Sequence, residues 1–367
     1  MDTTTTTAMT TSGLEGVVVA DTRLSEVDGS RGRLVVAGHD IERLALIASF
    51  EDVVALLATG TLPDAAGREA TRRALAAGRV AAFERLRGCG DALQLVDGMD
   101  SLRASTAHLS EAAGFAAAEP LIGAVAVHVA AWARVRAGGE PVAPDPTLSH
   151  AADYLRMLGV SPDAARVAGL DAYLATVADH GLNASTFAAR VVISTGSDLV
   201  SAIVAAIGAL KGPLHGGAPG PVLDMLDAVG SPAEAAAWID GELAAGRRIM
   251  GMGHRIYRVR DPRAAVLERA IAGLELAGLS TGRLALARAV ERAAEGALRL
   301  KYPGRPLAAN VEFYTAVLLD TLGIDRAAFA PTFAVGRVAG WCAHVAEQRA
   351  GGRLIRPASR YVGPAPA

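Results

Sequence analysis

Three of the eight histidines stand in settings that suit chemistry: His180 in Asp179-His180-Gly181-Leu182-Asn183, His215 in Gly212-Pro213-Leu214-His215-Gly216-Gly217, and His254 in Gly251-Met252-Gly253-His254-Arg255. Glycines beside an imidazole let backbone and substrate approach closely, so His215 and His254 form a candidate acid/base pair. His39, His108, His128, His150 and His344 read as structural, the ordinary condition of a histidine. A carboxylate, Glu312, follows the Tyr302-Pro303-Gly304-Arg305-Pro306 break and opens an apolar helix expected over 313–322. In a first helical turn it complements the helix dipole, and beside two histidines it is also a candidate base. Arginine recurs at chain breaks: Arg255, Arg258 and Arg263 after His254, then Arg337 and Arg356. Forked guanidinium groups are suited to carboxylates and phosphates. Metal ligation by the same histidines with Glu312 is the alternative, but HExxH, HxH and Cys/His spacings are missing, so no metal is expected.

The elements that hold these residues read as helices. Apolar residues recur at helical spacing over 50–57, 164–177, 186–210, 232–244, 264–277 and 284–300. Ser161-Pro162, Ser231-Pro232 and Asp261-Pro262 each put a capping residue before a proline at the first helical position. Only 16–36 differs, with two β-branched runs around Asp28-Gly29 that predict a small hairpin. Glycine and proline are densest at 212–221, 251–254 and 302–306, between long helices, where side chains can converge on a cleft. The expected fold class is all-α with a short N-terminal β-hairpin.

Composition narrows the function. The chain has 367 residues and a formal net charge of −2, enough for about two domains and without the basic footprint of a nucleic-acid binder or polybasic membrane anchor. Lys211 and Lys301 are its only lysines. Cys89 and Cys342 form neither a CxxC pair nor a dense disulfide pattern, which favours a reducing, cytoplasmic compartment. Residues 1–12 read as a disordered polar tail. The longest apolar stretches, 121–133 and 199–210, are interrupted by His128 or end at Lys211, and read as buried helices, so no membrane partner is expected.

Taken together, these strings resemble the citrate synthase family: Gly13 to Val18, Gly38-His39-Asp40-Ile41, Met99 to Arg103, His180 to Thr186, Gly212 to Gly217, Gly253 to Tyr257 with Asp261-Pro262-Arg263, Asn310 to Phe313, and Arg356 to Ser359. The stretch 63–97 matches least. The resemblance implies a citrate synthase-like two-domain helical fold: a large domain of 13–216 plus 324–361, a small domain of 217–323, and a tail at 362–367. It implies condensation of acetyl-CoA with oxaloacetate in a homodimer, with the CoA thioester as co-substrate and no cofactor. By resemblance His215 polarises the thioester carbonyl, His254 holds and protonates the keto oxygen, and Glu312 removes the methyl proton. His180, Arg263 and Arg337 match oxaloacetate-binding positions, Arg258 a CoA-phosphate contact, and Arg356 the arginine that completes the neighbouring subunit's site.

One residue departs from the family pattern, which has aspartate where Glu312 stands. An added methylene moves the carboxylate by on the order of 1 Å, which can cost about 100-fold in rate. Two alternatives stay open beside citrate synthase: a 2-methylcitrate synthase using propionyl-CoA, and a catalytically weak paralogue acting as a ligand-binding regulator.

Overall fold

The computed structural model describes residues 13–14, 16–215, 219–279, 281–305 and 307–364. The expected tail 1–12, Gly216 and Gly217 of the His215 motif, Pro306 and the end of the 362–367 tail lie outside them. Asp28 shapes the first element: its Oδ1 accepts from the amides of Ser30 and Arg31, both at 3.0 Å, closing a turn between β1 (Ser25–Asp28) and β2 (Arg33–Val36). The strands pair antiparallel, from Ser25 opposite Val36 to Asp28 opposite Arg33. The expected hairpin gains a third strand, β3 (His39–Asp40), on the far side of β2. The first β-branched run, Val17 to Val19, joins no strand.

Fifteen α-helices follow among the described residues: α1 (Ile41–Ile47), α2 (Phe50–Thr59), α3 (Ala65–Glu84), α4 (Gly98–Ala107), α5 (Ala118–Arg136), α6 (His150–Leu158), α7 (Ala164–Val177) and α8 (Ala184–Ser194), then α9 (Leu199–Leu210), α10 (Pro219–Val229), α11 (Ala235–Ala244), α12 (Pro262–Leu276), α13 (Arg283–Lys301), α14 (Val311–Leu322) and α15 (Phe329–Gly351). The segment 186–210 is two helices, because Asp198 caps α9 afresh by accepting from Ser201 N at 2.7 Å. Of the three proline starts, Asp261-Pro262 opens α12 as expected. Asp163 takes the cap that Ser161 was expected to provide for α7, and α11 begins at Ala235 without a side-chain cap.

Helix α5 lies at the centre, packed by α3, α4, α6 and α15. It is long and apolar enough to cross a membrane, yet most of it is buried against these neighbours, and a helix enclosed on every face is apolar all round. Its Trp132 is 1% exposed and donates Nε1–H to the Leu95 carbonyl at 2.8 Å, so the indole is buried without an unpaired donor.

Helix α15 packs on α5, α7 and α8, and small residues on it decide how close it comes. A Cβ at Gly340 would sit 2.2 Å from the Ala178 carbonyl oxygen, a contact no side chain tolerates. Bare backbone there lets α15 press against the end of α7, where the turn carrying His180 begins.

Candidate active site

Two loops join by backbone pairing. Gly253 N donates to Ala308 O at 2.8 Å and Asn310 N to Gly251 O at 2.9 Å, with Met252 bridged antiparallel to Ala309. Asn310 strengthens this seam with its side chain. Its Oδ1 accepts from Glu312 N at 3.0 Å, capping α14, while its Nδ2 donates to Gly253 O at 2.9 Å. The helix that starts with Glu312 is thereby tied to the loop that ends in His254.

The tautomers of the histidines follow from their donors. His254 Nδ1 accepts from the amides of Ile256 (3.0 Å) and Tyr257 (3.1 Å), so in the neutral ring the proton is on Nε2. His215 Nε2 accepts from Ser185 N at 3.3 Å and lies 2.8 Å from Ser185 Oγ, so its proton is on Nδ1. Ser185 is itself held: its one hydroxyl proton is shared between His215 Nε2 and Asn183 Oδ1, also at 2.8 Å, and its oxygen accepts from Trp341 Nε1 at 3.0 Å. His180 is buried, with Nε2 3.1 Å from the Tyr257 hydroxyl. Its ring meets that of His254 at a centroid distance of 5.7 Å.

Burial holds all three imidazoles neutral. It brings His215 and His254 down to about 4, aided by Arg337 at His215 and Arg263 at His254. His180 is pushed well below its ordinary value by burial, then by Arg263 and Arg337. A neutral imidazole with one nitrogen already accepting is a directed hydrogen-bond donor. Glu312 shifts the other way: burial lifts its carboxyl to about 7, against the pull of Arg263 and Arg337. Its Oε2 is enclosed without a hydrogen-bond partner among the described residues.

The two arginines are buried, each 2% exposed. Arg263 is gripped by Asp261, with Nη2 to Oδ2 at 2.7 Å and Nε to Oδ1 at 3.0 Å. Arg337 donates Nε–H to the Val177 carbonyl at 2.6 Å and lies over Phe333, 4.6 Å from the ring centroid. Among the described residues no carboxylate forms an ion pair with Arg337, and burial with Arg263 nearby brings its pKa down to about 10. A buried cation in that state is a receptor for an anion.

The structure thus brings His180, His215, His254, Glu312, Arg263 and Arg337 into one electrostatically connected cluster: the charge of Arg337 acts on His180, His215 and Glu312 alike. Arg258 and Arg356 are outside it. Arg258 is exposed and lines a cleft of about 510 Å³ with Arg299, Tyr302, Arg305, Leu307 and Ala308; the last of these accepts from Gly253 N through its carbonyl. Arg356 is exposed on the extended segment after α15 and joins none of the cluster's contacts. Sequence reasoning assigned no role to Ser185, Asn310 or Tyr257. Asn310 carried the one readable signal, an N-cap residue type immediately before a helix. Among the described residues, no three His, Cys, Asp or Glu side chains converge as a metal site.

The family model for the citrate synthase C-terminal domain matches residues 13–358. The citrate synthase of Haloferax volcanii is 39% identical over 96% of this chain and 95% of its own. A 2-methylcitrate synthase of Mycobacterium tuberculosis is 38% identical over 96% of this chain and 90% of its own. Among solved structures, citrate synthase from Thermotoga maritima superposes with a TM-score of 0.83 at 33% identity, covering 97% of this chain and 96% of that one. The ternary complex of Thermoplasma acidophilum citrate synthase with carboxymethyl coenzyme A and oxaloacetate gives 0.86 at 28% identity, covering 97% and 96%. With a family model spanning nearly all of it, full-length relatives above 30% identity and the same fold, the chain belongs to the citrate synthase family.

Proposed function

We propose that the protein condenses acetyl-CoA with oxaloacetate and hydrolyses the resulting thioester to citrate and CoA. The observation that carries this is the cluster itself: one carboxyl lifted to about 7 beside two imidazoles kept neutral and two buried guanidinium groups. Arg263, Arg337 and His180 bind the dicarboxylate. His215 Nδ1–H donates to the thioester oxygen, where a positioned donor in a dry site is worth roughly 3–4 kcal/mol as negative charge develops. Glu312 takes the methyl proton. The enolate carbon attacks the keto carbon, and His254 Nε2–H donates to the alkoxide formed there. Water then cleaves the thioester and releases CoA.

Arg258, Arg299 and Arg305 around the adjoining cleft suit the phosphates of a CoA thioester, which enters as co-substrate; no further cofactor is invoked. The assembly is a homodimer in the cytoplasm, with Arg356 of each chain completing its neighbour's site. The small domain, 217–323, closes over the oxo acid before enolisation, which keeps water from the thioester until carbon–carbon bond formation is complete.

A second reading, 2-methylcitrate synthesis from propionyl-CoA, is favoured by the relative of that name at nearly the same identity. One methylene changes discrimination by only about 1–3 kcal/mol, so pocket shape decides between the two. A thiol-release assay with acetyl-CoA or propionyl-CoA, each with and without oxaloacetate, tests both. Oxaloacetate-dependent release from acetyl-CoA is expected; release from propionyl-CoA alone favours the second reading, and none from either supports a ligand-binding regulator.

A further inference from the structure

The mechanism needs His180 and His254 at a set distance, yet they lie on separate loops, one after α7 and the other before α12. One small element touches both loops. At the start of β1, Ser25 Oγ donates to Asp179 Oδ2 at 2.5 Å and accepts from Gly181 N at 2.8 Å. A single hydroxyl therefore closes the turn on both sides of His180. Behind Asp179, His344 Nε2 lies 3.2 Å from Oδ1, and His344 Nδ1 accepts from Arg190 Nε at 3.0 Å. All three of these residues are buried.

Beyond the other end of β1, the turn meets the His254 loop. The Gly29 carbonyl accepts from Arg258 N at 2.8 Å. A Cβ at Gly29 would sit 2.3 Å from the Ile256 carbonyl oxygen, and one at Gly32 would sit 2.5 Å from Val259 Cγ2. Ile256 is also a residue whose amide orients the His254 ring through Nδ1. Between these two ends, β1 is paired with β2 along its whole length, and four extended residues span roughly 13 Å. A paired strand of that length is a stiff spacer.

We propose that the β1–β2 hairpin is a positioning element for the reaction: Ser25 sets the His180 turn, Gly29 sets the His254 loop, and whenever the cleft is closed the strand between them fixes the separation of the two imidazoles. Neither residue touches substrate; both act through the histidines. The proposal rests on the oxaloacetate-binding reading of those histidines.

Steady-state kinetics and thermal melts of Ser25→Ala, Ser25→Thr and Gly29→Ala, with a crystal structure of Gly29→Ala, test it. Ser25→Ala should raise KM for oxaloacetate about tenfold with less change in kcat, the effect of one lost hydrogen bond to a charged group. Ser25→Thr keeps the hydroxyl and should recover most of the loss. Gly29→Ala should lower kcat by about tenfold, because displacement of His254 weakens a contact made in the transition state. Its crystal structure should show the ring centroids moved from 5.7 Å. Lower melting temperatures with kcat and KM unchanged per folded molecule would overturn the proposal, as would an unchanged ring separation in Gly29→Ala. The crystallographic arm needs no turnover, so an inactive wild-type enzyme would sink the functional reading while the spacer was still judged on ring separation. Should Ser25→Ala not fold, Gly29→Ala decides.

Discussion

The ring of His180 meets the ring of His254 edge to face, with planes at 74°. A proton on either would bring a second positive charge beside Arg263, and burial already holds both rings neutral, with His254 at about 4. Within the cluster, the group that titrates near neutrality is then Glu312, lifted to about 7. A base works deprotonated, so kcat/KM, which reports the free enzyme, should climb about tenfold per pH unit below about pH 7 and level off above it. A flat profile from about pH 5 to about pH 8 would remove Glu312 from that role.

Glu312→Gln should abolish condensation while leaving oxaloacetate binding largely intact, read as a ligand-induced thermal shift. Substantial residual turnover would count against the proposed base.

The same substitution should stabilise the free protein at alkaline pH. A carboxyl whose folded pKa is raised contributes stability below its ordinary value of 4.5, and that contribution is lost as pH rises through about 7. Above that point the buried charge costs on the order of 3 kcal/mol. Glu312→Gln should therefore melt a few degrees higher than wild type at about pH 8, with the gap closing as the pH falls toward 4.5. An equal melting temperature at both ends would mean that the carboxylate is better solvated than its enclosed Oε2 implies.

Glu312→Asp restores the side chain usual in the family but withdraws the carboxylate by on the order of 1 Å, and should lower kcat about 100-fold if this pocket has adjusted to glutamate. A faster enzyme would show instead that the backbone is still set for aspartate.

Arg337→Gln removes a buried cation with no ion-pair partner among the described residues. Folding should survive, and KM for oxaloacetate should rise by at least about 30-fold, the size of effect seen when one member of a buried charge pair is truncated. Unchanged KM would place the substrate carboxylate elsewhere.

In the homodimer proposed above, Arg356→Ala should impair activity without dissociating the two chains. Mixed with inactive His215→Ala under exchange conditions, it should regain activity, since one of the two composite sites in the heterodimer is then intact. No recovery despite proven heterodimers would assign Arg356 to its own chain.

Much of this site could be read in the chain because its residues sit where helices break. His215, His254 and Glu312 stand at or beside glycine and proline punctuation, and their loops had to be irregular to let them meet. Local periodicity also marked α7 and α13 closely. What escaped detection depends on long-range partners. Helix α3 falls within the stretch resembling the family least; its Arg79 is fully buried and ion-paired with Asp153 at 2.7 Å, a partner invisible from local pattern. Ser185 had a place in a family string but no task until His215 was found beside it. The break between α8 and α9 was hidden because apolar spacing continues on both sides of it, and the third strand because two residues carry no alternation to detect.

Asn310 grips both the first turn of α14 and the carbonyl before His254, so the groups proposed above as proton acceptor and as donor to the keto oxygen ride on one scaffold. His215 belongs to another part of the chain, after α9. A motion that opened the cleft would carry the acceptor and the keto donor away together, leaving the thioester's own donor behind. In the open state the carboxylate could not reach a methyl group activated by His215, and deprotonation would be disarmed by distance alone, with no change in any group's charge.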